Sequence, residues 1–224
     1  VNTTAGFSIS TYTGNGSAGA TIGHGLGVAP NIVIVKKLTG TSDWSSYHSV
    51  LGNTGYMRFN NTNAFATAST YWNNTTPTST VFTAGTTGNI NGNGADYVAY
   101  CFAEKTGYSK FGSYLGNGNA DGTFIYTGFK PAFVMIKNSA AAEQWRIYDS
   151  KREPSNQMFK CIFPNANNGE STTDNGSEEI DFVSNGIKIR SNSQQLNGNG
   201  QKLIYMAFAE APLVGSNNVP CTAR

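Results

Sequence analysis

Hydrophobic and polar positions alternate along this chain in short runs and never settle into helical stripes. Phe7-Ser8-Ile9-Ser10-Thr11-Tyr12 puts every second residue on one face and stops at Gly14-Asn15-Gly16, the pattern of a half-buried strand closed by a turn. Residues 20–23 suit a short strand before the His24-Gly25-Leu26-Gly27 loop, and Pro30 introduces Ile32–Lys36, an apolar run fit for a core strand. The same reading predicts strands over Asp43–Val50, Tyr56–Phe59, Asn63–Ala68, Ser79–Thr83 and Tyr97–Ala103. Further along it predicts Tyr108–Tyr114, Thr123–Thr127, Ala132–Lys137, Gln144–Asp149, Met158–Phe163, Glu179–Phe182, Ile187–Arg190 and Lys202–Ala209. Helix is expected to be minor, because the Glu-, Lys-, Leu- and Ala-rich stretches that favour it are missing.

The pattern is written twice. Ile90-Asn91-Gly92-Asn93-Gly94 opens a run ending in Phe102-Ala103-Glu104, and Leu196-Asn197-Gly198-Asn199-Gly200 opens one ending in Phe208-Ala209-Glu210, 106 positions later. Tyr12 with Gly14-Asn15-Gly16 is answered by Tyr114 with Gly116-Asn117-Gly118 at an offset of 102. Pro30 to Lys36 is answered by Pro131 to Lys137, and Trp44 and Tyr47 by Trp145 and Tyr148, all at 101. Ordered correspondences of this kind point to a tandem duplication. We therefore expect an all-β chain of two tandem antiparallel β-sandwiches, residues 1–104 and 105–212, with a C-terminal tail at 213–224. A single larger sandwich fed by both halves is the rival topology. In the two-sandwich reading Tyr97–Ala103 and Lys202–Ala209 are central strands, with Phe208 buried.

Composition narrows the function. Charged residues are 12% of the chain, and 15 basic against 13 acidic side chains leave a net charge of +2 with no basic stripe. Nucleic-acid binding needs such a stripe to neutralise phosphates, so it is not expected. Apolar runs stay far below the roughly 20 residues that span a bilayer, so no membrane insertion is expected. The cysteines, Cys101, Cys161 and Cys221, lack metal-ligand spacing and define no disulfide framework. Cys101 lies in a strand-like run and reads as a small buried hydrophobe.

Candidate chemistry is sparse. Asp43, Ser45 and His48 suggest a hydrolase set, yet on a strand Asp43 and Ser45 share a face that His48 does not, and no Gly-x-Ser-x-Gly elbow is present. Asp121, Glu143, Asp149, Glu178, Glu179 and Asp181 offer carboxylates, though without the flanking pattern of a glycosidase pair. The glycine-rich pieces precede strands, where a dinucleotide fingerprint would precede a helix. A cation held by carbonyls and Asp121 is the one metal reading kept in view, and no cofactor is expected. For binding, Tyr71-Trp72-Asn73-Asn74 reads as a loop offering an aromatic face and amides to a sugar, with core packing of Trp72 the competing account. Asn165–Ser177 is a second loop rich in amides and carboxylates.

Several stretches carry a resemblance. Gly23-His24-Gly25-Leu26-Gly27-Val28-Ala29-Pro30 with its strand to Lys37, the Trp44–His48 segment, and the runs 97–114, 116–137 and 205–212 together resemble a repeated module in virion proteins of marine, cyanophage-like tailed bacteriophages. That module stands in distal parts of fibre-like or uncharacterised structural proteins. The resemblance implies a non-enzymatic all-β domain displayed on the particle exterior, as a tail-fibre or adhesion domain or as capsid decoration. The partners it implies are other virion proteins, a host surface glycan and further copies of the chain. An adhesion module of a cell-surface appendage is the reading outside viruses. This chain departs from the pattern at Asn138–Ala142, where a more basic turn is usual, and at the long Asn-rich loop 164–178.

Overall fold

The computed structural model describes residues 1–172 and 175–210, so the expected tail at 213–224 lies outside the described residues. The fold is all-β with minimal helix: among the described residues there are fifteen strands and three helices of one turn each. The chain divides into two compact units, one from Val1 to Glu104 and one beginning at Lys105.

The first unit holds an antiparallel sheet in the order β1 (Phe7–Thr13), β8 (Asp96–Phe102), β3 (Ile32–Lys37), β4 (Trp44–His48), β5 (Gly52–Arg58), β6 (Ala66–Thr67). A smaller antiparallel pair joins β2 (Ala20–Gly23) to β7 (Val81–Ala84). Pairing sets Val33 opposite Cys101 and Val35 opposite Ala99, so the apolar run of β3 meets small side chains on the core-facing side of β8. Ile22 and Phe82 of the small pair belong to the same buried cluster as Val33, Val35 and Tyr47. The core thus draws on both sheets. Two single-turn helices, α1 (Ser69–Trp72) and α2 (Gly88–Asn91), add Tyr71, Trp72 and Ile90 to it.

The second unit holds a sheet in the order β12 (Arg146–Asp149), β11 (Pro131–Asn138), β15 (Lys202–Ala209), β9 (Ser109–Leu115). Its smaller sheet runs β10 (Phe124–Tyr126), β14 (Gly186–Ile189), β13 (Ile180–Val183), and α3 (Gln194–Asn197) precedes β15. Val134, Ile136, Tyr148 and Leu203 share one buried cluster with Ile125, Ile187 and Phe182 of the smaller sheet. The order β1-β8-β3-β4 reads the same as β9-β15-β11-β12, and β2-β7 the same as β10-β14. As the sequence pattern predicts, β8 and β15 have a strand on each side.

Three expectations need correction. Met158–Phe163 forms only isolated bridges, from Met158 to Ile180, Cys161 to Ser171 and Ile162 to Ile147. The Glu153 carboxylate explains this, since it takes the amides of Phe159 and Lys160 at 2.7 and 2.8 Å and removes them from any ladder. The Asn63–Ala68 strand shrinks to Ala66–Thr67. Phe208 is half-buried and stands outside the core cluster, against the rings of Tyr108, Phe111 and Phe133.

Candidate functional site

Where β1 ends, the chain turns through Gly14-Asn15-Gly16, and the fully buried Asn91 of α2 holds that turn. Its side-chain oxygen accepts the Asn15 amide at 3.0 Å. Its nitrogen donates to the carbonyls of Ser17 at 2.9 Å and Gly85 at 2.7 Å. Its own carbonyl accepts the Gly16 amide at 2.9 Å. Tyr12 adds a latch, its hydroxyl donating to the Ile90 carbonyl at 2.7 Å. The backbones approach so closely that a Cβ on Gly14 would lie 2.4 Å from the Gly92 oxygen, which is why glycine stands there.

The second unit repeats this arrangement at the turn, with one added bond from the Asn197 side-chain nitrogen to the Asn117 side-chain oxygen at 2.7 Å. Asn197 accepts the Asn117 amide at 2.8 Å and takes the Gly118 amide on its carbonyl at 2.9 Å. Tyr114 donates to the Leu196 carbonyl at 2.6 Å. A Cβ on Gly116 would meet the Gly198 oxygen at 2.2 Å.

Beside the first clamp lies a groove of about 520 Å³ between β1 and β2, with a predominantly polar wall and no charged residue lining it. Thr11, Tyr12, Asn15, Thr21, Gly23 and Asn91 contribute to that wall. Strand parity decides which backbone groups reach it. Gly14 donates to Ala95 and Ala103 to Gly6, so even-numbered residues of β1 point their amides and carbonyls at β8. Those of Thr11 and Thr13 are directed away from it. In β2, His24 donates to Thr80, and the same parity turns the backbone groups of Thr21 and Gly23 away from β7. In the second unit Ile125 takes the buried place of Ile22, so the exposed Phe124 and Tyr126 stand where Thr21 and Gly23 stand. There the Thr123 hydroxyl donates to the Leu115 carbonyl at 2.8 Å and ties the two strands together.

Residues 1–212 match a family model described as a domain of unknown function, DUF7483. The chain belongs to this family. No curated protein and no solved structure matches it.

In this DUF7483 chain the four sequence-predicted binding residues divide. Tyr71 and Trp72 do not form an exposed aromatic face: both are buried on α1. Tyr71 stacks on Tyr56 at 3.6 Å, and Trp72 packs edge-on against Tyr47 and Phe82 at 5.9 and 6.3 Å. One helical turn points both rings inward, which a loop reading of the segment does not anticipate. Asn73 and Asn74 follow with left-handed backbones, φ 52° and 49°, and Asn74 is exposed. The Asn73 side-chain nitrogen lies 3.7 Å from where a Cβ on Gly19 would be, and Gly19 lines the groove. The sequence reading missed Thr11, Asn15 and Thr21, treating Gly14-Asn15-Gly16 as a turn alone. The available signal was the repeated Asn-Gly-Asn-Gly motif beside it.

The other candidates hold structure together. Asp43 pairs with Arg58 at 3.0 Å and accepts from Asn60 at 2.8 Å. His48 is buried and its Nδ1 accepts the Val50 amide. Lys188 lies 2.7 Å from Asp121 and holds that carboxyl below its usual range, occupying the place a cation would take. Asp149 pairs with Arg152, Asp181 with Arg190, and the buried Arg146 with Glu178 at 3.4 Å. Glu179, also buried, accepts the amides of Asn175 and Gly176. That places it at the end of the second predicted loop, of which residues 173–174 lie outside the described residues. His24 is buried, with its Nδ1 accepting the Leu26 amide. Among the described residues no group of three or more His, Cys, Asp or Glu side chains could hold a metal. Cys101 and Cys161 are free and buried, while Cys221 lies outside the described residues. No described helix is long and apolar enough to cross a membrane.

Proposed function

We propose that the chain is a tandem duplication of one antiparallel β-sandwich module and serves as a non-enzymatic structural protein of a tailed-bacteriophage virion. In this reading it is displayed on the particle exterior as a fibre or adhesion domain, assembled with other virion proteins and further copies of itself. Duplication is supported by the shared strand order and by the matching clamps at Asn91 and Asn197, each with its tyrosine latch. The sandwich is supported by cores that draw side chains from a larger and a smaller sheet in each unit.

The observation that carries the virion role is where the resembling stretches fall. Residues 23–37, 44–48, 97–114, 116–137 and 205–210 contain β3, β4 and β10 and most of β8, β9, β11 and β15, together with Asn117 of the second clamp. The shared motifs are therefore framework, as befits a module reused for its rigidity. The carboxylates of Asp43, Asp121, Asp149, Glu178, Glu179 and Asp181 are engaged in ion pairs or loop amides, which supports display over turnover.

Immunogold labelling of purified virions with antibody to this chain, beside fractionation of the host lysate, tests the proposal. Label on the particle surface is expected. Label confined to host appendages overturns it in favour of a cellular adhesion module, and label spread over the capsid shell identifies decoration in place of a fibre.

A further inference from the structure

We propose that the groove between β1 and β2 of the first unit is a binding site for a neutral saccharide, a proposal that deepens the adhesion reading and rests on it. Four features of the groove select this ligand chemistry. Its volume, about 520 Å³, falls in the range of small-ligand sites. It is lined by no charged side chain, so a phosphate finds no counter-charge there, and the neighbouring Asp96 carboxylate is engaged by the Thr13 hydroxyl at 2.8 Å. Its wall combines the Thr11 and Thr21 hydroxyls and the Asn15 side-chain amino group with backbone donors and acceptors of Thr11, Thr13, Thr21 and Gly23 that the sheets leave unpaired. A sugar hydroxyl both donates and accepts, and so matches such a mixed wall better than a ligand with one role per atom.

The fourth feature is Tyr12. It lines the groove half-buried, with one face stacked on Tyr97 at 5.1 Å and its hydroxyl committed to Ile90. Phe82 also meets the ring at 6.1 Å and a steep angle, so Tyr12 is a fixed apolar wall, and the part of it left exposed suits the C–H surface of a pyranose. The clamp makes the site preorganised: Asn91 holds Asn15 and the turn before any ligand arrives, so little ordering is lost on binding. The same place in the second unit is unlike it. Leu115 replaces Thr13, Phe124 and Tyr126 replace Thr21 and Gly23, and the Thr123 hydroxyl bonds the Leu115 carbonyl. The polar wall of the first module is thus replaced by apolar side chains in the second.

The test titrates the full chain with a panel of neutral hexose and N-acetylhexosamine oligosaccharides, read by calorimetry and by tyrosine and amide shifts in NMR spectra. Thr21→Trp and Gly23→Trp serve as blocking variants. Thr21 is exposed and a Cβ on Gly23 meets nothing within 4 Å, so both should fold with unchanged melting temperature. The expected result is saturable binding of at least one panel member, shifts at Thr11, Asn15 and Thr21, and at least a tenfold loss of affinity in each variant. Tyr126→Ala in the second unit should leave binding intact. No saturable binding to any panel member overturns the proposal, as does binding that survives both blocking variants or is abolished by Tyr126→Ala. Virion labelling without saccharide binding defeats the groove alone, and saccharide binding by a chain absent from virions defeats the virion role alone.

Discussion

The backbone amide of Asn15 donates to the side-chain oxygen of Asn91 at 3.0 Å, joining residues 76 positions apart. Because Asn91 is fully buried, its bonds to Asn15, Ser17 and Gly85 have no ready water substitute, and this is what makes one amide decisive. Truncation would leave the Asn15 amide and the carbonyls of Ser17 and Gly85 without their partner, the last of them buried. Asn91→Ala is therefore expected to cost about 3 kcal/mol, from the penalty for stranding buried polar groups. Asn197→Ala should cost a similar amount in the second unit. Urea unfolding measures both, and a loss below about 0.5 kcal/mol would mean that water replaces the clamp.

Trp72 is a core residue by its contacts, and its variants should behave accordingly. Removing its ring leaves Tyr47 and Phe82 facing a cavity, so Trp72→Ala is expected to cost about 3–5 kcal/mol. Trp72→Phe keeps a ring and gives up an indole N–H that has no hydrogen-bond partner, so it should cost markedly less. Neither change should weaken saccharide binding once the fraction unfolded is accounted for. A Trp72→Phe protein that folds normally yet loses binding would return the site to α1.

Burial pushes the Cys101 thiol up from 9.0 to about 12. Burial, aided by the Glu178 carboxylate, does the same to Cys161. Below pH 9 both folded and unfolded chains keep these protons. Above it only the unfolded chain releases them, so stability is full below pH 9 and is lost as pH rises toward 12. The slope approaches about 1.4 kcal/mol per pH unit for each thiol. In a Cys221→Ser background, the stability of the protein relative to its Cys101→Ala variant should shrink between pH 8 and 10, a difference from which all other titrations cancel. Neither native thiol should react with a disulfide reagent at pH 8 before unfolding. Rapid native labelling at Cys101 or Cys161 would contradict their burial.

How much of this was legible in the sequence depends on whether a residue's partner is local. Alternation stopped by Gly14-Asn15-Gly16 marks β1, and apolar runs bounded by turn residues mark β3, β8, β11 and β15, which are buried on much of both faces. Met158–Phe163 misled because its amides go to Glu153, a competition no local pattern records. Tyr71 and Trp72 misled because a single helical turn is too short to show a 3.6-residue period. The groove was illegible for a different reason: Thr11, Asn15 and Thr21 line one site only because β1 and β2 bound it, and nothing in their spacing says so. The repeated Asn-Gly-Asn-Gly was read as turn chemistry, whereas its first asparagine is a buried donor and acceptor in both units.

Lys36 and Lys137 hold equivalent places near the ends of β3 and β11, yet their surroundings differ. Lys36 is half-buried and lies 5.9 Å from the Trp44 ring centre. Lys137 is completely buried and donates to the carbonyls of Asn138 at 2.6 Å and Ala141 at 3.0 Å. Burial pulls its value from 10.5 down to about 8, with Glu143 opposing and Arg146 reinforcing the drop. Between those two values the unfolded chain binds more protons than the folded one, so the Lys137 contribution to stability rises with pH. This is the reverse of the thiols, and the two senses can be separated by a variant. Lys137→Met removes the titration, so the stability of wild type relative to the variant should grow by about 2 kcal/mol between pH 7.5 and 9.5. The thiol contribution is common to both proteins and cancels. A difference that stays flat across that window would mean the Lys137 ammonium reaches water in solution, and that the Asn138–Ala142 turn covering it opens.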